Sequence, residues 1–229
     1  MIQIRINEHI YLKDPESSTL GKKIVKEGIS LIDEIGFEQF TFKKLAKRIS
    51  STEASIYRYF ENKHKLLIYL VSWYWNWLEY QLSFSTNNIA SPEERLRIAL
   101  KVVSQPHRLE TEFVHINKGA LHRIVVGESP KAYLSKEVDE DNKEGYFLAY
   151  KRLCGRIAEI AQEISPEYPY PHALVSTLIE SAHDQSFFAE HLPRLTDIEA
   201  GDDEGVTAFL VDLALRALHS KTPEPSPSV

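Results

Sequence analysis

Apolar residues recur at helical spacing along almost the whole chain, and glycine and proline fall between the periodic stretches. The start differs. Ile2, Ile4 and Ile6 alternate with Gln3, Arg5 and Asn7, the period of a short extended segment. Asp14-Pro15-Glu16 then signals a helix start, with Ser17 or Ser18 as the alternative cap. Ile24, Gly28, Leu31, Ile32 and Ile35 form one stripe of a first helix, which Gly36 stops near Ile35. Phe37 and Phe40 follow as core plugs. Thr41 caps a short helix from Phe42 to about Ile49, broken by Ser50 and Ser51. Thr52 caps another over Glu53–Phe60, and Asn62 caps a long one from Lys63 to about Phe84.

Ser91-Pro92 opens a helix ending near Gln105-Pro106, and the next is expected from about Leu109 to Val126. Another starts at Ser129-Pro130, breaks near Glu137–Asn142 and continues to about Ile164. The prolines between Ser165 and Pro171 exclude helix there. Two more are expected at about Pro171–Leu192 and Asp203–His219. The tail from Lys221 is too polar and proline-rich to pack and is expected to be disordered. The pattern predicts an all-α fold. A three-helix helix-turn-helix unit over residues 20–67 follows an arm over 1–19. A larger helical bundle over 68–220 precedes the tail at 221–229, with about nine helices in all.

Composition narrows the setting. With 229 residues, 43% of them hydrophobic, the chain can bury a sizeable core. No apolar run approaches the roughly 20 residues that cross a bilayer, and the first residues lack the apolar block of a signal peptide. The single cysteine, Cys154, excludes an intrachain disulfide, so a cytoplasmic protein without a membrane partner is expected. The net charge of −6 argues against a simple nucleic-acid binder, but it is unevenly spread. Residues 1–70 carry 12 Lys and Arg against 9 Asp and Glu, a net of +3, and the rest of the chain carries −9. A contact to DNA confined to the head is compatible with that split.

The informative stretch is Phe40–Leu67, two short capped helices joined by a tight turn and followed by a third. Leu45, Ala46 and Ile49 on one helix, and Ile56 and Phe60 on the next, form narrow buried stripes. Thr52, Glu53, Ala54, Ser55, Arg58 and Tyr59 are expected to point away from them, as on a helix that enters the major groove. Lys43, Lys44, Lys47 and Arg48 lie on the preceding helix and turn. At Lys63 a phosphate would meet an ammonium and the free N–H groups of a helix start.

This stretch resembles the TetR family of bacterial repressors. The residues that carry the resemblance are Phe40-Thr41, Leu45-Ala46-Lys47-Arg48, Thr52, Ile56-Tyr57-Arg58-Tyr59-Phe60, Asn62-Lys63 and Leu66-Leu67. It implies that Thr41, Thr52, Tyr57 and Lys63 touch phosphates. It also implies that Glu53, Ala54, Ser55, Arg58 and Tyr59 face bases or groove walls. Two departures stand out. Ser50 and Ser51 replace the family's usual glycine and apolar residue in the turn, and Glu53 stands where a basic or small residue is common. An acid beside DNA costs affinity unless it accepts from cytosine N4.

In the body, Trp73, Tyr74, Trp75 and Trp77 crowd one helix, which implies burial on most sides. Trp77, Tyr80 and Phe84, with Phe113, Asn117, His122, Tyr146 and Tyr150, are candidates to line a small-molecule pocket, with a plain core as the alternative. His115 and His122, seven apart, would lie about 10 Å apart along one helix, too far to share a metal. No metal, cofactor or catalytic motif is read, so an enzyme is not expected. On the last two helices Ala173, Thr177, Ser181, Phe188, Leu210 and Leu213 are candidates for a homodimer interface. The expected function is a regulator, in the first instance a repressor, that binds double-stranded operator DNA as a homodimer and answers to a small-molecule effector. The alternative is a helical sensing or interaction protein with a weakened DNA-binding head.

Overall fold

The computed structural model describes residues 4–108 and 115–220. Among these residues there are eleven α-helices and four 3-10 turns, and no strand. In chain order they are α1 (Thr19–Gln39), α2 (Phe42–Arg48), α3 (Glu53–Tyr57), α4 (Lys63–Thr86), α5 (Pro92–Ser104), α6 (Lys118–Glu128), α7 (Pro130–Tyr133), α8 (Val138–Lys143), α9 (Leu148–Ile164), α10 (Pro171–His191) and α11 (Asp203–His219). The chain divides into two compact units, Met1–Gln81 with Pro106–Leu153, and Leu82–Gln105 with Cys154–Val229. The division falls inside α4 and α9.

In the first unit α1 packs on α2 and α6, and α2 on α3. Ile24, Val25, Ile29 and Ile32 supply the buried face of α1. Gly36, at φ 74°, breaks α1 before its last residues, as glycine alone does without strain. The broken end is then satisfied from elsewhere in the unit. Glu128 accepts from the Phe37 N–H at 3.0 Å, and the Lys63 ammonium donates to the Phe37 carbonyl at 3.1 Å. Leu66 to Val71 and Trp73 to Trp75 of α4 are buried without interruption, as the aromatic-rich pattern implies.

The extended start expected from the isoleucine alternation forms no strand. Ile4–Asn7 pair with nothing in a sheet, and the residues before them lie outside the described residues. Alternation marks two faces, but a strand also needs a neighbour for its N–H and C=O groups. Here Asn7 caps a 3-10 turn at Glu8–Ile10 and Asp14 caps a second at Pro15–Ser17. Ser18 then caps α1, so both expected cap sites are used. Gly21 admits this path, because a Cβ there would lie 2.2 Å from the Pro15 carbonyl oxygen. Ile6 and Ile10 are buried. Asn7 donates to the Glu144 carbonyl at 2.7 Å, and the Tyr146 hydroxyl donates to the His9 carbonyl at 3.1 Å.

Of the helix expected from about Leu109 to Val126, residues 109–114 lie outside the described residues, and α6 begins at Lys118, capped by Asn117 through the Ala120 N–H. His115 therefore shares no helix with His122 and lies 2.8 Å from the Glu16 carboxylate.

In the second unit α5, α10 and α11 pack on one another. Leu96, Leu100, Val103, Leu178, Ile179 and Leu210 form part of its core. A buried polar seam joins α5 to α11, with Ser104 Oγ 2.7 Å from Thr207 Oγ1 and Gln105 Nε2 donating to the same atom at 2.8 Å. Burial holds the His183 imidazole neutral, its pKa pushed down to about 4. No helix among the described residues is long and apolar enough to cross a membrane. The expected disorder of the tail lies outside the described residues.

Candidate nucleic-acid interface

The turn between α2 and α3 is built on a left-handed serine. The Ser51 N–H donates to the Ala46 carbonyl at 2.9 Å and the Ser50 N–H to the Lys47 carbonyl at 3.3 Å. This pair of bonds closes a Schellman end, and Ser50 holds its special position at φ 55°. Glycine is the usual occupant because its missing Cβ removes the clash. The Lys23 ammonium donates to the Ile49 carbonyl at 2.9 Å and closes the same helix end.

Thr52 then caps α3, its hydroxyl oxygen accepting from the Ser55 N–H. Ile56 and Phe60 are fully buried with Leu45, Ala46 and Ile49. That burial leaves Thr52, Glu53, Ala54, Tyr57 and Arg58 exposed, with Ser55 half-buried. Tyr57 is 48% exposed, its ring edge-on to Phe42 at 5.0 Å. Tyr59 departs from the expectation. It is 3% exposed, its hydroxyl lies 2.8 Å from Ser18 Oγ, and its carbonyl accepts from the Leu12 N–H at 2.8 Å. At this register Tyr59 falls on the Ile56 side of the turn, so it holds the arm instead of facing outward.

The cations divide into two groups. Lys43, Lys47 and Arg58 are exposed and make no ion pair or side-chain hydrogen bond among the described residues. The others are engaged. Lys44 donates to the Gln39 carbonyl at 2.8 Å. Lys63 spends donors on the Phe37 and Glu38 carbonyls and covers the Phe37 ring at 4.6 Å. Arg48 makes two bonds of 2.6 Å to Glu34 and one of 2.9 Å to Glu27. Those hydrogen bonds raise the Arg48 pKa and hold the Glu34 carboxyl below its ordinary value. Glu53 and Glu61 are exposed acids of the head, and neither carboxylate has a partner among the described residues. Thr41 is exposed and caps α2.

The pocket candidates separate. Trp77 and His122 both adjoin Tyr74, whose hydroxyl lies 2.9 Å from His122 Nδ1, and Tyr150 stacks on Trp75 at 4.4 Å. Burial raises the Tyr74 hydroxyl's pKa. Tyr146 instead joins Lys65 to the arm, and Asn117 is committed to its cap. Tyr80 is half-buried. Phe84 is 71% exposed on the last turns of α4, and Phe113 lies outside the described residues.

Of the interface candidates, Ala173, Thr177 and Leu213 are exposed, and Ser181 and Phe188 are half-buried. Leu210 is fully buried within its own unit, because α11 turns that side toward α5 and α10. Phe187, not among the candidates, is 40% exposed, and Phe209 is 42% exposed. Also unforeseen is a groove of about 690 Å³ between α5 and α11, floored by Ile98, Val211 and Leu215.

Residues 24–70 match the family model for bacterial regulatory proteins of the tetR family. The chain is similar to the probable HTH-type transcriptional regulator YttP of Bacillus subtilis (strain 168), with 24% identity over 178 residues, covering 72% of this chain and 85% of that protein. The fold is similar to that of a tetR-family regulatory protein from Rhodococcus RHA1, at TM-score 0.63 and 17% identity, covering 90% of this chain and 100% of the other. It is also similar to AibR, solved with isovaleryl coenzyme A and operator DNA, at TM-score 0.59 and 17% identity, covering 83% and 95% of the two chains.

Proposed function

We propose that the chain, whose residues 24–70 match the family model for bacterial regulatory proteins of the tetR family, binds operator DNA as a homodimer, represses transcription there and is released by a small molecule. The observation that carries the reading is the sidedness of α3. Ile56 and Phe60 anchor one side in the core, while Thr52, Glu53, Ala54, Tyr57 and Arg58 stand exposed beside the unpaired Lys43 and Lys47. A helix held in this way can enter the major groove, whose width admits one helix. Thr41, Lys43, Lys44, Thr52, Tyr57 and Lys63 serve the phosphates. Glu53, Ala54, Ser55 and Arg58 face the bases.

One five-residue helix reads few base pairs, so a second copy supplies the missing affinity. The outer faces of α10 and α11, with Ala173, Thr177, Phe187, Phe209 and Leu213, are suited to that pairing. In this reading residues 20–67 read DNA, residues 68–220 sense and dimerise, and the arm over 1–19 steadies the head. An effector acts by binding more tightly to a state whose two reading helices no longer match the half-site spacing. The aromatic cluster of Trp77, His122 and Tyr150 is the proposed place for it. The ligand of AibR makes acyl-coenzyme A thioesters the first class to test.

The test is selection of duplexes from a random pool by the full chain, followed by binding to the selected sequence over a salt series. A two-fold-related pair of half-sites is expected, with Tyr57→Ala and Arg58→Ala each weakening binding at least tenfold. Selection of no sequence, or binding insensitive to both changes, overturns the reading.

A further inference from the structure

Resting on the reading that α3 enters the major groove, we infer that Glu53 is a base-reading residue that selects cytosine in each half-site. Glu53 opens α3 and is exposed, one helical turn before Tyr57 on the same side. Its carboxylate makes no ion pair or hydrogen bond among the described residues, although Lys43, Lys47 and Arg58 of the same surface are unpaired too. Four other acids of the unit are paired in place, Glu27 and Glu34 by Arg48, and Glu38 and Glu128 by Lys131. Glu53 thus meets the duplex as an unscreened negative charge.

Every phosphate repels that charge, so its favourable partners are N–H donors on base edges. In the major groove these are cytosine N4 and adenine N6. On adenine the neighbouring N7 is an acceptor and opposes a carboxylate. On cytosine the amino group has no acceptor beside it on the same base. Guanine offers O6 and N7, and thymine O4 and a methyl group, all hostile to a carboxylate. The preference is therefore cytosine first, and it arises as much from rejecting the other bases as from the bond formed. An acid in the first turn also favours the helix dipole. Such a role is blind to sequence, which separates the two accounts.

The experiment is random-pool selection with the wild type, Glu53→Gln and Glu53→Ala, each first checked for an unchanged melting temperature. The wild type is expected to enrich cytosine at one fixed position of each half-site, with a loss of about tenfold to a hundredfold when that base is replaced. Glu53→Gln is expected to move the preference at that position to adenine, which a carboxamide reads through N6 and N7. Glu53→Ala is expected to lose preference there alone and to bind unrelated duplex several-fold more tightly. The same base at every position in all three proteins would overturn the inference while leaving the regulator reading intact. A wild type that selects nothing would overturn both.

Discussion

The guanidinium of Arg48 lies against the carboxylate of Glu34 with two N–H···O bonds of 2.6 Å, so a cation of the reading head is spent inside the protein. Both groups are partly exposed, so the pair adds little to stability. Arg48→Ala is expected to leave the slope of log affinity against log salt unchanged. Lys43→Ala, which removes an unpaired cation, is expected to flatten that slope by about one unit. Equal slopes for both variants would contradict the division of the cations.

Ser50 occupies a left-handed position that glycine holds without cost. Ser50→Gly is expected to stabilise the chain by about 1 kcal/mol in urea unfolding. Ser50→Val is expected to destabilise it by at least as much, since a β-branched side chain fits that conformation worst.

Tyr59 is a positioning residue of α3. Tyr59→Phe keeps the buried ring and removes the hydroxyl that meets Ser18. A loss of about 1 kcal/mol in stability is expected, with base preferences unchanged in a selection experiment. A changed base at any operator position would place Tyr59 at the DNA after all.

His183 makes stability depend on pH. Its folded pKa of about 4 lies below the ordinary 6.5, so the unfolded chain takes up a proton that the folded chain refuses. Its contribution falls as pH drops through 6.5 toward 4, by about 2 kcal/mol between pH 7 and pH 5. Unfolding curves of His183→Gln are expected to lack that part of the acid sensitivity.

Leu210 and Leu213 are three residues apart on α11 and differ in fate. Leu210→Ala is expected to cost about 2 to 4 kcal/mol of stability, because the side chain is fully buried. Leu213→Glu is expected to leave monomer stability within about 0.5 kcal/mol, and to shift the chain toward monomer in sedimentation, because that residue is exposed.

Several helix starts were legible from the side chain that closes the cap, although Asn117, which caps α6 in the same way, was passed over. Thr41, Thr52, Ser91 and Asp202 each accept from an N–H three residues on. The stripe of Leu45, Ala46, Ile49, Ile56 and Phe60 was legible because an apolar period of one helix face leaves burial little choice. The exposed side of α3 followed from it, apart from Tyr59. The arm was misread because alternation cannot report whether a partner strand exists. Leu210 was misread because both sides of α11 are apolar, and periodicity does not say which of them a neighbour covers.

Local chemistry along the chain thus determined where helices begin, where they break and which turn carries the reading helix, since caps and apolar periods act within a few residues. Long-range packing alone decided which charges stay free. Arg48 finds carboxylates 21 and 14 residues away, while Glu53, Lys47 and Arg58 find none among the described residues. A side chain's charge is written in its identity, but whether that charge is neutralised depends on what the fold brings within a few ångströms.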